Sequence, residues 1–240
     1  MQPSNTNLCS DLSPAGAIII PALNEESVIT ALIADIQSAV NLPIWVVDDC
    51  SSDRTAELAA ESGASVIRLP LRLGAWAATQ AGIRKAASRG LEFVVTMDAD
   101  GQHNPGDIAA LVEPVMQGDC DVVIGSAPAR GSKLRRLAWR LMRLTSGLRC
   151  DDLTSGFRVL NRRAICSLAG PRASYLDYQD VGVLLLLEQA GMEMLEVPVT
   201  MPARVNGKSR IFSSWLAVAS YMAHTLALGT FKRRRPWSTG

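Results

Sequence analysis

Two periods alternate along the chain. Residues 16–21 form an apolar run too short for a typical helix and rich in isoleucine, which predicts a buried strand. Val28, Ile29, Leu32, Ile33, Ile36 and Val40 then recur at spacings of three and four, the mark of a helix with one apolar face, and Pro43 ends that pattern before the apolar run at 44–47. The alternation continues as a helix over 53–62, a strand over 64–69, a helix over 75–88, a strand over 93–97, a helix over 105–117 and a strand over 121–124. Beyond Gly125 the pattern is less regular, with a basic helix over 133–148, a loop, a helix over 181–191 and a strand over 194–199. This order implies an α/β fold with a mostly parallel, Rossmann-like sheet flanked by helices, and ligand chemistry at the carboxyl ends of its strands.

Residues 1–15 are polar, contain Pro3 and Pro14, and have no apolar core, so they read as a loose arm and not as a signal peptide. Residues 16–210 read as one domain, and 211–240 as a separate C-terminal helix and basic tail. A chain of 240 residues can bury a full core as one such domain. The five cysteines show no C-x-x-C spacing, which argues against a disulfide framework or a zinc site and fits a reducing cytoplasm.

Charge is divided along the chain. Residues 1–129 carry 6 Lys/Arg against 16 Asp/Glu, and residues 130–240 carry 18 against 7. The acidic half suits a cation; the basic half suits phosphates, nucleic acid or an anionic membrane surface.

Polar segments stand at the predicted strand ends. The first is IIIPALNEE at 18–26. The second is WVVDDCSSDRT at 45–55, where Asp48 and Asp49 end a strand and either accept from the N–H of a bound base or, with Ser51, Ser52 and Asp53, serve as turn and helix-capping residues. The third is FVVTMDADGQHNP at 93–105. Side chains two apart share a strand face, so Asp98 and Asp100 bring two carboxylates together, Gly101 permits a sharp turn, and Gln102 and His103 add neutral donor atoms. One or two carboxylates plus substrate phosphates is the usual way Mg²⁺ or Mn²⁺ is held. The fourth is DDLTSGFRVLNRR at 151–163, in which Thr154, Ser155 and Gly156 offer hydroxyl and backbone donors and Arg158 a planar fork for phosphate, unless it pairs with Asp151 or Asp152.

In this order and spacing the segments resemble the family 2 glycosyltransferases, with the closest likeness to the dolichyl- and polyprenyl-phosphate sugar transferases. The likeness covers roughly residues 16–210, and the strings D-A-D-G-Q-H and D-x-T-S-G-F-R carry it. It implies a GT-A type nucleotide-diphospho-sugar transferase fold and inverting hexosyl transfer from a GDP-mannose or UDP-glucose type donor to a polyprenyl-phosphate lipid. Under it, Pro21, Leu23, Glu25, Asp49, Gly74 and Asp98 line the nucleotide site. Asp98, Asp100 and Gln102 hold Mg²⁺ or Mn²⁺. Asp100, Arg158 and Arg130 act in catalysis, while Thr154, Ser155, Arg204 and Arg210 bind acceptor or phosphate. Arg210 stands where the late basic motif of the family ends in lysine, so charge is kept there while hydrogen-bond geometry is not.

Two segments lead to the expectation of peripheral attachment at the cytoplasmic membrane surface. Residues 131–149 set Leu134, Leu137, Ala138, Leu141 and Leu144 on one stripe edged by Arg136, Arg140 and Arg143, with Trp139 suited to an interface; a packed surface helix is the alternative. Residues 211–231 contain no Asp, Glu, Lys or Arg and are long enough to span a bilayer, but several serines, His224 and Thr225 favour a helix lying on the surface, followed by Lys232 to Arg235. Two other readings compete: transfer to a glycolipid or polysaccharide hydroxyl, and a non-catalytic membrane-binding module. Nucleic-acid binding would not call for an acidic strand-end cluster. A redox dinucleotide fold lacks its G-x-G-x-x-G fingerprint after the first strand.

Overall fold

The computed structural model describes residues 15–127, 150, 152, 154–176 and 181–201. Among these, strands β1 (Gly16–Ala22), β2 (Ile44–Asp48), β3 (Ser65–Arg68), β4 (Phe93–Thr96), β5 (Val122–Ser126), β6 (Arg158–Asn161) and β7 (Met194–Pro198) form a seven-stranded sheet in the order β3-β2-β1-β4-β6-β5-β7. All pairings are parallel except those of β6, which runs antiparallel to both β4 and β5.

The central strands are apolar at nearly every position because helices cover both of their faces. On one face Ala17, Ile19, Val94, Val122 and Leu160 meet α3 (Ala75–Arg89), α5 (Arg162–Ala169) and α6 (Val181–Gln189). On the other, Ile18, Ile20, Val95, Phe157 and Val159 meet the Ile29, Leu32, Ile33 and Ile36 stripe of α1 (Ile29–Ala39) and the Ile108, Leu111 and Val112 stripe of α4 (Ile108–Gln117). The short α2 (Thr55–Glu61) adds Ala59 to this second layer. Each fully buried isoleucine of such a core stabilises the fold by roughly 1.5–3 kcal/mol.

The expected helices and strands up to residue 124 are present, with ends moved by one or two residues. The helix expected over 105–117 opens as a 3-10 turn at Pro105–Asp107, capped by Asn104 Oδ1 accepting from Gly106 N at 3.1 Å. The loop expected between residues 148 and 181 is where the structure departs from expectation: it contains β6 and α5. Strand β6 lacks an apolar alternation because one of its inward positions is Arg158, only 4% exposed. The start of α5 is set by Asn161, whose side chain accepts from Ala164 N at 2.9 Å, an N-cap legible in the sequence. The arm at 1–14, the basic helix expected over 133–148 and the C-terminal helix and tail at 211–240 lie outside the described residues.

The chain moves from β1 outward to β2 and β3, then returns to β4 on the other side of β1. The order therefore reverses between β1 and β4, and in sheets of this kind ligands bind in the crevice beyond the carboxyl ends of the strands at that reversal. Residues 22–26 and 97–103 border it.

Candidate active site

The loops after β1 and β2 are tied to each other. Asn24 N donates to Ser51 Oγ at 3.0 Å, and Ser52 N returns a bond to Asn24 Oδ1 at 2.8 Å. Glu25 N donates to Thr55 Oγ1 at 2.8 Å, Glu26 N to Asp53 Oδ2 at 3.2 Å, and Arg54 N to Glu26 Oε2 at 3.1 Å. These exchanged bonds satisfy loop amides in the absence of sheet pairing, and they hold Asn24 (φ 52°) and Cys50 (φ 62°) in the left-handed region. Of the residues expected to cap the helix, Ser51 and Ser52 instead bind Asn24, whereas Asp53 Oδ1 accepts from Thr55 N at 3.0 Å where α2 begins. Burial works to raise the Asp53 carboxyl, but hydrogen bonds from the Thr55 hydroxyl, the Thr55 amide and the Glu26 amide outweigh it and hold the group below its ordinary value.

Asp49 lies at the floor of this junction, 3% exposed. Its Oδ1 accepts from Leu73 N at 2.7 Å and its Oδ2 from Gly74 N at 2.8 Å, so one carboxylate clamps the loop that leads into α3. Gly74 has φ 92°, a conformation that disfavours a side chain, and its amide can reach Asp49 because the chain turns there into the helix. Pro21, Leu23, Glu25, Asp49 and Gly74, the residues expected around a nucleoside, thus belong to neighbouring strand ends and loops. Pro21 is paired with Val47 in the sheet, and Pro21, Leu23 and Glu25 are all half-buried.

Beyond β4 the chain turns at Gly101 (φ 71°). Met97 and Ala99 point into the core, whereas Asp98, Asp100 and Gln102 are half-exposed. Gln102 N donates to Asp100 Oδ1 at 3.1 Å, which sets that carboxylate across the turn. His103 comes back under the same turn: its Nδ1 accepts from Asp98 N at 3.1 Å, and its Nε2 lies 3.7 Å from Asp98 Oδ2. Among the described residues no three carboxylate, imidazole or thiol groups converge, so the corner is not a closed cage for a bare ion. Two carboxylates and an amide, half-exposed and hard in character, fit a divalent cation that completes its coordination with phosphate and water.

The antiparallel pairing of β6 with β4 brings the fourth motif beside the third. Thr96 pairs with Arg158, and Thr96 Oγ1 donates to Gly156 O at 2.8 Å. Asp152 organises the approach to β6, its Oδ1 accepting from Thr154 N and Thr154 Oγ1, both at 3.1 Å, and its Oδ2 from Ala127 N at 3.4 Å. Ser155 Oγ accepts from Phe157 N at 3.3 Å. The Thr154 and Ser155 side chains are thus engaged in shaping the turn that leads into β6.

Arg158 is 4% exposed. It projects to the face covered by α3, α5 and α6, beside a small cavity lined by Trp76, Thr79, Ile83, Leu168 and Val183. Among the described residues Thr96 and Gly156 also border this cavity, and Arg158 is buried there between sheet and helices. Arg130, Arg204 and Arg210 lie outside the described residues. No sequence pattern signals the Asn24 bonds, which cross a separation of 28 residues. His103 stands five residues from Asp98, a spacing that permits a return contact across a tight turn.

Residues 17–168 match the family model described as glycosyl transferase family 2. The chain is 28% identical over 223 residues to polyprenol monophosphomannose synthase from Mycolicibacterium smegmatis, covering 85% of this chain and 83% of that protein. It is 29% identical over 210 residues to undecaprenyl-phosphate mannosyltransferase from Micrococcus luteus, covering 80% and 86% respectively. Among solved structures, glucosyl-3-phosphoglycerate synthase from Mycobacterium tuberculosis in complex with Mn²⁺, UDP and phosphoglyceric acid superimposes with a TM-score of 0.65 over 94% of this chain and 80% of that one. Sequence identity to it is 22%, so the likeness is one of fold.

Proposed function

The chain belongs to glycosyl transferase family 2 and has its GT-A fold, and from that premise we propose that it transfers a hexose from a nucleoside diphosphate sugar to a polyprenyl phosphate, inverting the anomeric centre. The observation that carries the proposal is the meeting, at one reversal of strand order, of the loops after β1 and β2 with the Asp98–Asp100 corner after β4. The named relatives act on polyprenol and undecaprenyl phosphates, which supports the choice of acceptor.

The clamped loops around Asp49 and Gly74 would hold the nucleoside, and Pro21, Leu23 and Glu25 would wall it. Asp98, Asp100 and Gln102 would hold Mg²⁺ or Mn²⁺ against the diphosphate, where such an ion, when bound, neutralises charge developing on the leaving group. The acceptor needs no deprotonating side chain, because a phosphate monoester with a second pKa near about 6 is already ionised at neutral pH. Thr154 and Ser155, in the turn before β6, would meet that phosphate.

Attachment would be peripheral, at the cytoplasmic face of the membrane, through residues 131–149 and 211–240. Among the described residues no helix is long and apolar enough to cross a membrane. The basic tail and the excess of 18 Lys/Arg over 7 Asp/Glu in residues 130–240 favour an anionic leaflet. The test is incubation with Mg²⁺ or Mn²⁺, a polyprenyl phosphate and a panel of GDP- and UDP-sugars. Lipid-linked sugar is the expected product; transfer to a glycolipid hydroxyl with none to polyprenyl phosphate would overturn the acceptor assignment.

A further inference from the structure

His103 is a polar side chain in a place where polarity is costly. It is 4% exposed, and its ring stacks on Phe157 with centroids 4.8 Å apart and planes 15° from parallel. Phe157 is itself fully buried at the start of β6. A leucine or phenylalanine would fill the same space without the cost of burying two ring nitrogens, so an imidazole here calls for an account of its nitrogens.

Both nitrogens have Asp98 as a neighbour. Nδ1 accepts the backbone N–H of Asp98 at 3.1 Å, which requires an unprotonated Nδ1 and leaves the proton on Nε2. Nε2 lies 3.7 Å from Asp98 Oδ2, beyond hydrogen-bond distance. The edge of the ring thus meets the main chain of Asp98, while its face is stacked on Phe157, just before β6.

We propose that His103 is a positioning residue: braced on Phe157, it fixes Asp98 at the end of β4 so that the carboxylate is presented to the metal and diphosphate. The inference rests on the transfer reading given above and adds to it a residue that touches neither substrate nor cation. Groups that orient a metal-binding carboxylate typically contribute 10–100-fold to metal affinity.

The test uses the full chain and Mn²⁺ titrated against protein in saturating GDP or UDP, with free Mn²⁺ read by electron paramagnetic resonance. H103F keeps the stack and removes the acceptor. Its Mn²⁺ affinity is expected to fall about 10- to 100-fold, with its thermal midpoint close to that of the wild type. H103N, whose amide oxygen can stand near the place of Nδ1 although it loses the stack on Phe157, is expected to retain more Mn²⁺ affinity than H103F. H103M replaces H103F should the phenylalanine variant not fold. Unchanged Mn²⁺ affinity in the acceptor-less variant would overturn the role of His103, as would an equal loss in H103N. A wild-type chain that bound neither Mn²⁺ nor either nucleotide would instead reject the transfer reading itself.

Discussion

The Asp49 clamp supports a quantitative prediction. Asp49→Asn preserves the size and shape of the side chain but replaces one of its two acceptor oxygens by an NH₂ donor. In the structure those oxygens accept from Leu73 N at 2.7 Å and Gly74 N at 2.8 Å, so the substitution keeps one bond, loses the charge that strengthens both, and turns a donor toward a donor. A hydrogen bond to a charged group contributes about 1.5–3 kcal/mol. Leu73 is exposed and its freed amide can turn to water, which places the local cost in the lower part of that range. At about 1.4 kcal/mol per tenfold, the 71–74 loop should open at least tenfold more often. Hydrogen–deuterium exchange would read this directly as faster exchange of the Leu73 and Gly74 amides, with the amides of β1 and β4 unchanged. A raised KM for the sugar nucleotide should accompany it. Unchanged exchange at both amides in a folded D49N protein would show that the carboxylate does not hold the loop, and the account of the nucleoside wall would fail with it.

Folding lowers the Asp53 pKa, so the folded chain binds fewer protons than the unfolded one as the pH approaches the unfolded value of about 3.9. The stabilisation from Asp53 is complete above that value and is lost as pH falls through the depressed folded pKa; D53N should therefore lose less stability than wild type on acidification, and parallel curves in a pH series of chemical denaturation would refute this. Arg158→Lys should lower the thermal midpoint and transfer activity together, because the guanidinium is buried between sheet and helices. Lost activity at an unchanged midpoint would indicate direct phosphate contact.

How much was legible in the sequence follows from the physics of each element. Strands β1, β2, β4 and β5 are buried on both faces, so they stand out as short apolar runs, and the helices between them carry single apolar stripes. Strand β6 does not stand out, because Arg158 occupies an inward position and Asn161 ends the strand by capping α5. The polar strand ends are visible as motifs, but β4 ends at Thr96, so Asp98 and Asp100 lie in the turn after it and not on the strand face that their spacing suggests. What motifs do not carry is the division of work among neighbouring polar groups. Asp49 reads as a base acceptor, yet both of its oxygens hold the Leu73–Gly74 loop, and Ser51 and Ser52 read as caps yet bind Asn24. Arg158 reads as a phosphate ligand because its motif is rich in donors, and its burial between sheet and helices follows from the pairing of β6 with β4.

The most direct measurement is single-turnover transfer of labelled sugar from the nucleotide donor to polyprenyl phosphate, with wild type and Asp100→Ala compared in Mg²⁺ or Mn²⁺. Asp100 is half-exposed and outside the core, so the variant should keep its thermal midpoint and lose lipid-linked product to background. Product formed by D100A at the wild-type rate would contradict the assignment of the β4 tip as the site where the sugar–diphosphate bond is broken.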